Sequence, residues 1–99
     1  MTFDERVLEL VSKIPKGKVS TYKDIALALG IFSPRAVGQA LKRNTHPIEI
    51  PCHRVVHADG RVGGYSGERD SSIKEQLLQK EGIRIADGKI DMLKFGWTP

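Results

Sequence analysis

Two short helical segments, each with its own start and stop signals, follow one another in the first half of the chain. Thr21 is typical of an N-cap, and Gly30 predicts the end of the first helix. Ser33 followed by Pro34 indicates the start of a second helix, which we expect to continue to Arg43. Two helices of this length, joined by a short turn that contains a glycine, pack together as a helix-turn-helix. This pair constrains the fold more than any other feature of the sequence.

The second of these helices has one apolar and one polar face. Its apolar seam predicts packing against the rest of the domain and consists of Val37, Ala40 and Leu41. Four polar side chains fall outside the seam: Arg35, Gln39, Lys42 and Arg43. Gly38 costs about 1 kcal/mol relative to alanine in a helix interior, which indicates close approach of a neighbouring element or a DNA backbone. An ordinary helical hairpin is the alternative, but the polar stripe favours DNA binding.

The positive charge of the chain is concentrated around the same helices. The 99 residues carry a net charge of +4, whereas residues 16–54 alone carry +5. Such a segment attracts phosphates, although a solvated basic face is an equally good interpretation of charge alone. No apolar run approaches the roughly 20 residues that a membrane span needs, and the acidic start is unlike a signal peptide. We therefore expect one cytoplasmic domain over residues 1–99, nucleoid-associated if the source is prokaryotic, with no membrane partner.

The other segments predict a mostly α fold with short β segments, a helix-turn-helix domain of winged-helix-like type with an active-site loop. An amphipathic helix is predicted over residues 3–13. The remaining signals indicate extended chain around a tight turn at Pro51–Cys52, a helix capped by Ser72 and ended by Gly82, a hairpin with its turn at Asp87–Gly88, and a packed tail containing Phe95 and Trp97.

The single cysteine, Cys52, excludes an internal disulfide and suits a reducing compartment. His53 and Arg54 follow it, and a histidine beside a cysteine can accept the thiol proton and so generate the nucleophilic thiolate. Spacing alone does not choose the carboxylate that orients this base; the candidates include Glu49, Asp59, Glu75 and Glu81.

Three other interpretations of Cys52 stay open on the residues alone. A lone cysteine is often a small buried hydrophobe. A metal site with His46, His53 and His57 is a second interpretation, although the spacing matches no standard zinc pattern. A cysteine protease is a third, although the chain is short for a peptide-binding cleft.

The segment Ile50–Val55 reads IPCHRV, which is the active-site signature of the O6-alkylguanine-DNA alkyltransferases, also called methylated-DNA–protein-cysteine methyltransferases. Other family motifs occur in the same order and spacing: IPKGKVSTY (14–22), RAVGQAL (35–41), Asn44, GGYSG (63–67), Lys74 and EG (81–82). The chain therefore resembles the family's C-terminal domain over essentially its whole length. The resemblance implies a single transfer of an alkyl group from guanine O6 in double-stranded DNA to the protein, with no cofactor and no metal.

The resemblance also assigns roles to individual residues. Cys52 is expected to accept the alkyl group, His53 to act as its water-mediated base, and Glu81 to orient that base. Tyr22 is expected to donate a proton to guanine N3, and Asn44 to hold the two subregions of the domain together.

Since the base must leave the duplex to reach such a pocket, the resemblance also implies base flipping. Arg35 is expected to replace the flipped nucleotide. The pocket is expected to be lined by Pro51, Val55, Tyr65 and Ser66. The expected DNA-binding residues are Thr21, Tyr22, Arg35, Ala36, Gly38, Gln39, Lys42 and Arg43.

A second function is implied by the related alkyltransferase-like proteins. These proteins keep the fold and flip the alkylated base, but they have lost the acceptor cysteine and recruit other repair factors. The presence of Cys52 favours transfer, whereas the match to the C-terminal domain alone, without the N-terminal domain that many members carry, favours lesion binding. We expect a monomer in either case, with repair-protein partners only if the chain is alkyltransferase-like.

Overall fold

The computed structural model describes residues 1–43, 50–63 and 72–99. In chain order, the elements are α1 (Phe3–Val11), β1 (Ser20–Thr21), α2 (Tyr22–Ala28), α3 (Pro34–Lys42), a 3-10 turn (Cys52–Arg54), β2 (Val55–Val56), α4 (Ser72–Lys80), β3 (Ile85–Ala86), β4 (Lys89–Ile90) and α5 (Met92–Phe95). The predicted fold class, mostly helical with short strands, is confirmed. In the part of the chain that the structure describes, no helix has the length and apolar character to cross a membrane.

Both helices of the predicted helix-turn-helix begin where their caps indicated. The Thr21 hydroxyl accepts a hydrogen bond from the Asp24 N–H at 3.0 Å, and the Ser33 hydroxyl accepts one from the Ala36 N–H at 3.1 Å. Each bond satisfies one of the backbone donors that a helix start leaves unpaired. Pro34 occupies the first turn of α3, where a missing N–H costs nothing.

The turn between α2 and α3 depends on a left-handed glycine. Gly30 has a φ of 76°, a conformation that glycine adopts without steric cost. This conformation allows the Ile31 N–H to donate to the Ala26 carbonyl at 3.0 Å and the Gly30 N–H to donate to the Leu27 carbonyl at 3.0 Å. The two bonds close the end of α2 as a Schellman motif and direct the chain toward α3.

Some element boundaries differ from those predicted. α1 ends at Val11 rather than residue 13, because the chain tightens there into i→i−3 hydrogen bonds before Pro15. The described part of α4 begins at Ser72, the residue predicted to cap it. The second strand of the hairpin covers only Lys89–Ile90, because Met92 starts the short helix α5, which Asp91 caps.

A parallel pair of very short strands joins the two halves of the domain. β1 pairs with β2 so that Ser20 lies opposite Val55 and Thr21 opposite Val56. Neighbouring strand residues point to opposite faces, so Val55 enters a core cluster with α1, α2 and α3, whereas Val56 enters a second cluster with α4 and the hairpin. This pairing places the start of α2 beside the chain that follows Cys52.

The C-terminal segment matches its prediction in its turn and its packing. Asp87 and Gly88 have φ values of 52° and 72°, as a two-residue type I′ turn requires. Phe95 packs against the second core cluster and Trp97 against the first. The tail is also tied to the centre of the fold, because the Trp97 N–H donates to the Val19 carbonyl at 2.7 Å.

Candidate functional site

Cys52 lies in a tight turn at the junction of the two core clusters. Its N–H donates to the Ile50 carbonyl at 2.7 Å, and the Arg54 N–H donates to the Pro51 carbonyl at 2.9 Å. The turn leaves Cys52 7% exposed and His53 3% exposed. Pro51 on one side is also buried. The predicted turn is confirmed, and the thiol faces the helical core rather than open solvent.

The structure selects one carboxylate for His53 from the four that spacing left open. Nε2 of His53 is 3.0 Å from Oε2 of Glu81. Arg54 holds the same carboxylate from the other side, with Nε donating to Oε1 at 2.8 Å and Nη2 donating to Oε2 at 2.7 Å. Its remaining Nη1 donates to the Ile14 carbonyl at 2.8 Å. His53, Arg54 and Glu81 therefore form one network that fixes the residue after Cys52.

This environment keeps His53 neutral near pH 7. Burial lowers the pKa of His53 below its ordinary value, and the charges of Arg54 and Lys74 lower it further. These effects together outweigh Glu81, which raises the pKa. The pKa of Glu81 is also low: burial would raise it, but hydrogen bonds from Arg54 and His53 outweigh that effect. Because an ionised carboxylate only accepts hydrogen bonds, we assign the imidazole proton to Nε2. Nδ1 is then the basic nitrogen.

Tyr22 and Lys74 form a second buried pair at this site. Nζ of Lys74 lies 3.3 Å from the Tyr22 hydroxyl and 5.6 Å from the ring centroid, and Lys74 is only 1% exposed. Burial lowers the pKa of Lys74 to about 8, and the negative charge of ionised Cys52 opposes that shift. Burial likewise raises the pKa of Tyr22, and the charge of Cys52 adds to it. Both side chains are therefore within electrostatic reach of Cys52.

The sequence did not predict that Lys74 contacts Tyr22 or that the guanidinium of Arg54 binds Glu81. One signal was available for Lys74, which stands four residues before Leu78 and so on the same helical face. The apolar residue directly before Lys74, Ile73, is instead 57% exposed. No comparable signal exists for Arg54, whose partners Ile14 and Glu81 are distant in sequence.

The polar stripe of α3 faces outward as predicted. Val37, Ala40 and Leu41 are buried, confirming the apolar seam. Arg35, Gln39 and Lys42 are exposed, whereas Ala36 and Gly38 are partly buried.

Two of the predicted DNA-binding residues already bond within the domain. Arg43 makes a two-point ion pair with Asp4 of α1, with both nitrogen–oxygen distances at 2.7 Å. Thr21 is buried, and its hydroxyl caps α2.

The glycine of α3 is not explained by crowding from its described neighbours. A Cβ added at Gly38 would lie 3.8 Å from the Tyr22 ring, which is ordinary van der Waals contact. In the part of the chain that the structure describes, and apart from the chain neighbours of Gly38 and its own helix backbone, only atoms of Tyr22 lie within 4 Å of this added Cβ.

Three predicted site residues, Asn44, Tyr65 and Ser66, lie outside the described residues. Over residues 1–43, 50–63 and 72–99, no group of three or more His, Cys, Asp or Glu side chains is arranged to hold a metal ion.

These features define a helix-turn-helix domain that holds a cysteine, with an oriented histidine beside it, behind its second helix. Residues 2–83 match the family model described as "6-O-methylguanine DNA methyltransferase, DNA binding domain". The chain belongs to this family, which confirms the resemblance seen in its motifs.

Individual relatives agree with the family match. The chain is 54% identical to the methylated-DNA–protein-cysteine methyltransferase of Archaeoglobus fulgidus over 86 residues, which cover 83% of this chain and 57% of that protein. Its fold matches the O6-methylguanine-DNA methyltransferase of Pyrococcus kodakaraensis with a TM-score of 0.74 and 46% identity, over 84% of this chain and 47% of that one. The chain spans about half the length of the curated relatives it matches.

A different similarity extends over the whole chain. S. pombe Atl1, in complex with damaged DNA containing O6-carboxymethylguanine, matches with a TM-score of 0.86 and 31% identity, covering 100% of both chains.

Proposed function

We propose that this protein repairs alkylated DNA by moving an alkyl group from guanine O6 to Cys52, once per molecule. The observation that carries the proposal is the placement of Cys52 directly before His53, whose imidazole Glu81 holds at 3.0 Å. Covalent catalysis requires a base that reaches the nucleophile directly or through water, and a third group that orients this base, which is the part that Glu81 plays here. We infer that residues 1–99 act as a single domain and as a monomer.

The first step is removal of the thiol proton. Cys52 gives its proton to Nδ1 of His53, through water as in the family, and the resulting imidazolium is stabilised by the Glu81 carboxylate. Arg54 keeps Glu81 ionised and fixed, because it donates two hydrogen bonds to it. Lys74 stabilises the thiolate by its positive charge, in keeping with its electrostatic coupling to Cys52.

The second step is displacement at the alkyl carbon. The sulfur–carbon bond forms while the carbon–O6 bond breaks, and the bonding electrons remain on the guanine. Tyr22 donates its phenolic proton to N3 of the departing base. Since Nζ of Lys74 lies 3.3 Å from the Tyr22 hydroxyl, the lysine stabilises the phenolate and returns a proton to it. The products are an S-alkylated Cys52 and unmodified guanine.

The target base reaches this buried site by leaving the duplex. The exposed stripe of α3 faces the DNA, with Arg35 filling the space of the flipped nucleotide, and Lys42 contacting phosphates. Tyr65 and Ser66 line the pocket together with Pro51 and Val55, and Asn44 joins the two subregions. Solved structures of relatives in complex with DNA support DNA binding by this domain.

Lesion binding without transfer is the second candidate, because S. pombe Atl1 matches this chain over its whole length. In that case, the same pocket holds the flipped base, and the complex recruits other repair proteins. Cys52 is the residue that separates the two functions.

Intact-protein mass spectrometry distinguishes them. The protein is incubated with a duplex oligonucleotide containing O6-methylguanine, beside the matched unmodified duplex. We expect one added methylene mass in the wild type and none in Cys52→Ala. Tight, lesion-specific binding with no added mass in the wild type would reject transfer and establish the binding function.

A further inference from the structure

The ring of His57 packs directly against the ring of Tyr22. Their centroids are 5.3 Å apart and their planes are tilted by 52°, which is an arrangement typical of favourable ring pairs. His57 follows β2, whereas Tyr22 follows β1, so the parallel pairing of these two strands brings the rings together.

The imidazole of His57 also lies against Gly63, which stands two residues before Tyr65 in the sequence. A Cβ added at Gly63 would lie 2.7 Å from Nε2 of His57, which means that the ring lies against the Gly63 backbone. Gly63 has a φ of 76° and begins the GGYSG segment that contains Tyr65. His57 therefore contacts Tyr22 and the entry to this segment at once.

Tyr22 is enclosed on several sides by these contacts. Gly38 of α3 faces one edge of the ring, Lys74 of α4 reaches its hydroxyl, and His57 packs against the ring itself. Two of these contacts leave the ring free to turn: Gly38 has no side chain, and a lysine is flexible. Tyr22 also packs against the first core cluster. Outside that cluster, the imidazole is the rigid ring among these contacts that limits rotation of the phenol.

We propose that His57 is a positioning residue for Tyr22, holding the phenol where it can donate its proton to the departing base. The proposal rests on the transfer function proposed above and concerns a residue outside the IPCHRV motif. His57 acts through Tyr22 and need not touch the substrate.

The charge state of His57 fits this role. Among the described residues, the charged or titratable groups that act on His57 are Tyr22, Asp59, Arg61 and Lys74. Burial lowers its pKa below 6.5, Arg61 and Lys74 lower it further, and Asp59 opposes them. The ring is therefore neutral near pH 7. Protonation would place a second positive charge near Lys74.

The test compares His57→Phe, which keeps a flat ring, with His57→Ala, which removes it. Leu93→Ala, at a fully exposed position, is the matched control. Single-turnover rates are measured with O6-benzylguanine and with the benzyl ether of an electron-poor nitropyrimidine, whose leaving group needs less proton donation. We expect His57→Ala to slow the guanine substrate by about tenfold and the nitropyrimidine by much less, because only proton transfer from Tyr22 is impaired. His57→Phe should recover most of the lost rate.

A second measurement on the free wild-type protein does not depend on transfer. The Tyr22 ring resonances should shift with pH along the titration curve of His57, and this shift should vanish in His57→Phe. The positioning role would be overturned if His57→Ala slowed both substrates equally. It would also be overturned if the Tyr22 resonances did not shift as His57 titrates. If the wild type transfers no alkyl group, the transfer function fails, and the resonance measurement alone decides whether His57 positions Tyr22.

Discussion

The outer face of α3 and the cluster around Cys52 both depend on charged side chains, but in opposite physical settings. Arg35 and Lys42 are exposed to solvent, where salt screens their charges, and the proposed function assigns both to DNA contacts. Lys74, Arg54 and Glu81 lie largely out of water, where desolvation is costly and each charge depends on its partners. Substitutions on α3 should therefore alter DNA affinity with little change in stability. Substitutions in the cluster should change stability and chemistry together.

The largest effect is expected from Glu81→Gln, which removes the charge that His53 and Arg54 share. We expect the free energy of unfolding to fall by about 3 kcal/mol, because Arg54 is left as an uncompensated buried charge. The transfer rate should fall about 100-fold, since the base is no longer oriented. Urea unfolding and single-turnover kinetics measure the two effects, with the exposed Glu9→Gln as control. A normal rate in the folded variant would show that the network is structural only.

Lys74→Met should move stability and activity in opposite directions. A shift of one pKa unit corresponds to about 1.4 kcal/mol, so holding the lysine near 8 instead of 10.5 destabilises the fold near neutral pH. Near neutral pH we expect the free energy of unfolding of the variant to be higher by about 1–3 kcal/mol. The rate of alkyl transfer should fall about tenfold, because the Tyr22 hydroxyl loses its hydrogen-bond donor.

The gain should depend on pH in a defined direction. Because the folded pKa of Lys74 lies below the unfolded value, the stability that this group contributes to the wild type rises with pH between about 8 and 10.5. The advantage of the variant should shrink over that window in urea unfolding. Lys80→Met, exposed on the same helix, should show neither effect. A destabilised Lys74→Met at neutral pH would mean that the buried charge is net favourable.

Arg35→Ala should affect only reactions with duplex DNA. We expect the rate on a duplex with O6-methylguanine to fall about tenfold and the salt dependence of binding to weaken by about one unit of slope. The reaction with free O6-benzylguanine should stay unchanged, because no base has to be flipped. Arg84→Ala removes an exposed cation away from α3 and serves as control. Equal losses on the duplex and the free base would contradict the role of Arg35 in flipping.

The smallest effect is expected from Asp4→Asn, which releases Arg43 from its ion pair. Exposed ion pairs contribute little to stability, so the unfolding curve should not move measurably. Affinity for duplex DNA should rise about twofold at low salt, because a carboxylate beside the α3 stripe is neutralised. Glu9→Gln is again the control, as it removes an equal charge from α1. An unchanged affinity would show that Arg43 does not reach the DNA.

Much of the fold could be predicted because it depends on interactions between residues that are close in sequence. The caps at Thr21 and Ser33, the stop at Gly30 and the turn at Asp87–Gly88 all depend on residues within a few positions of one another. The apolar seam of α3 follows from helical periodicity alone. The IPCHRV motif, likewise contiguous, located Cys52 and its base.

The partners at the site depend on contacts between distant parts of the chain. Glu81 stands 28 residues from His53, Lys74 stands 52 from Tyr22, and Asp4 stands 39 from Arg43. The spacing of the residues did not identify which of four carboxylates orients His53, although the family resemblance pointed to Glu81. Neither source revealed the Arg54 clamp, the Lys74–Tyr22 contact or the His57 ring.

The sequence by itself determined the helix-turn-helix, its outward polar stripe and the placement of Cys52 before His53, because each depends on residues close together in the chain. Only the tertiary structure decided which charges are buried and which rings meet. Those outcomes follow from the pairing of β1 with β2 and the docking of α4, where desolvation makes a charge depend on whichever distant partner the fold provides.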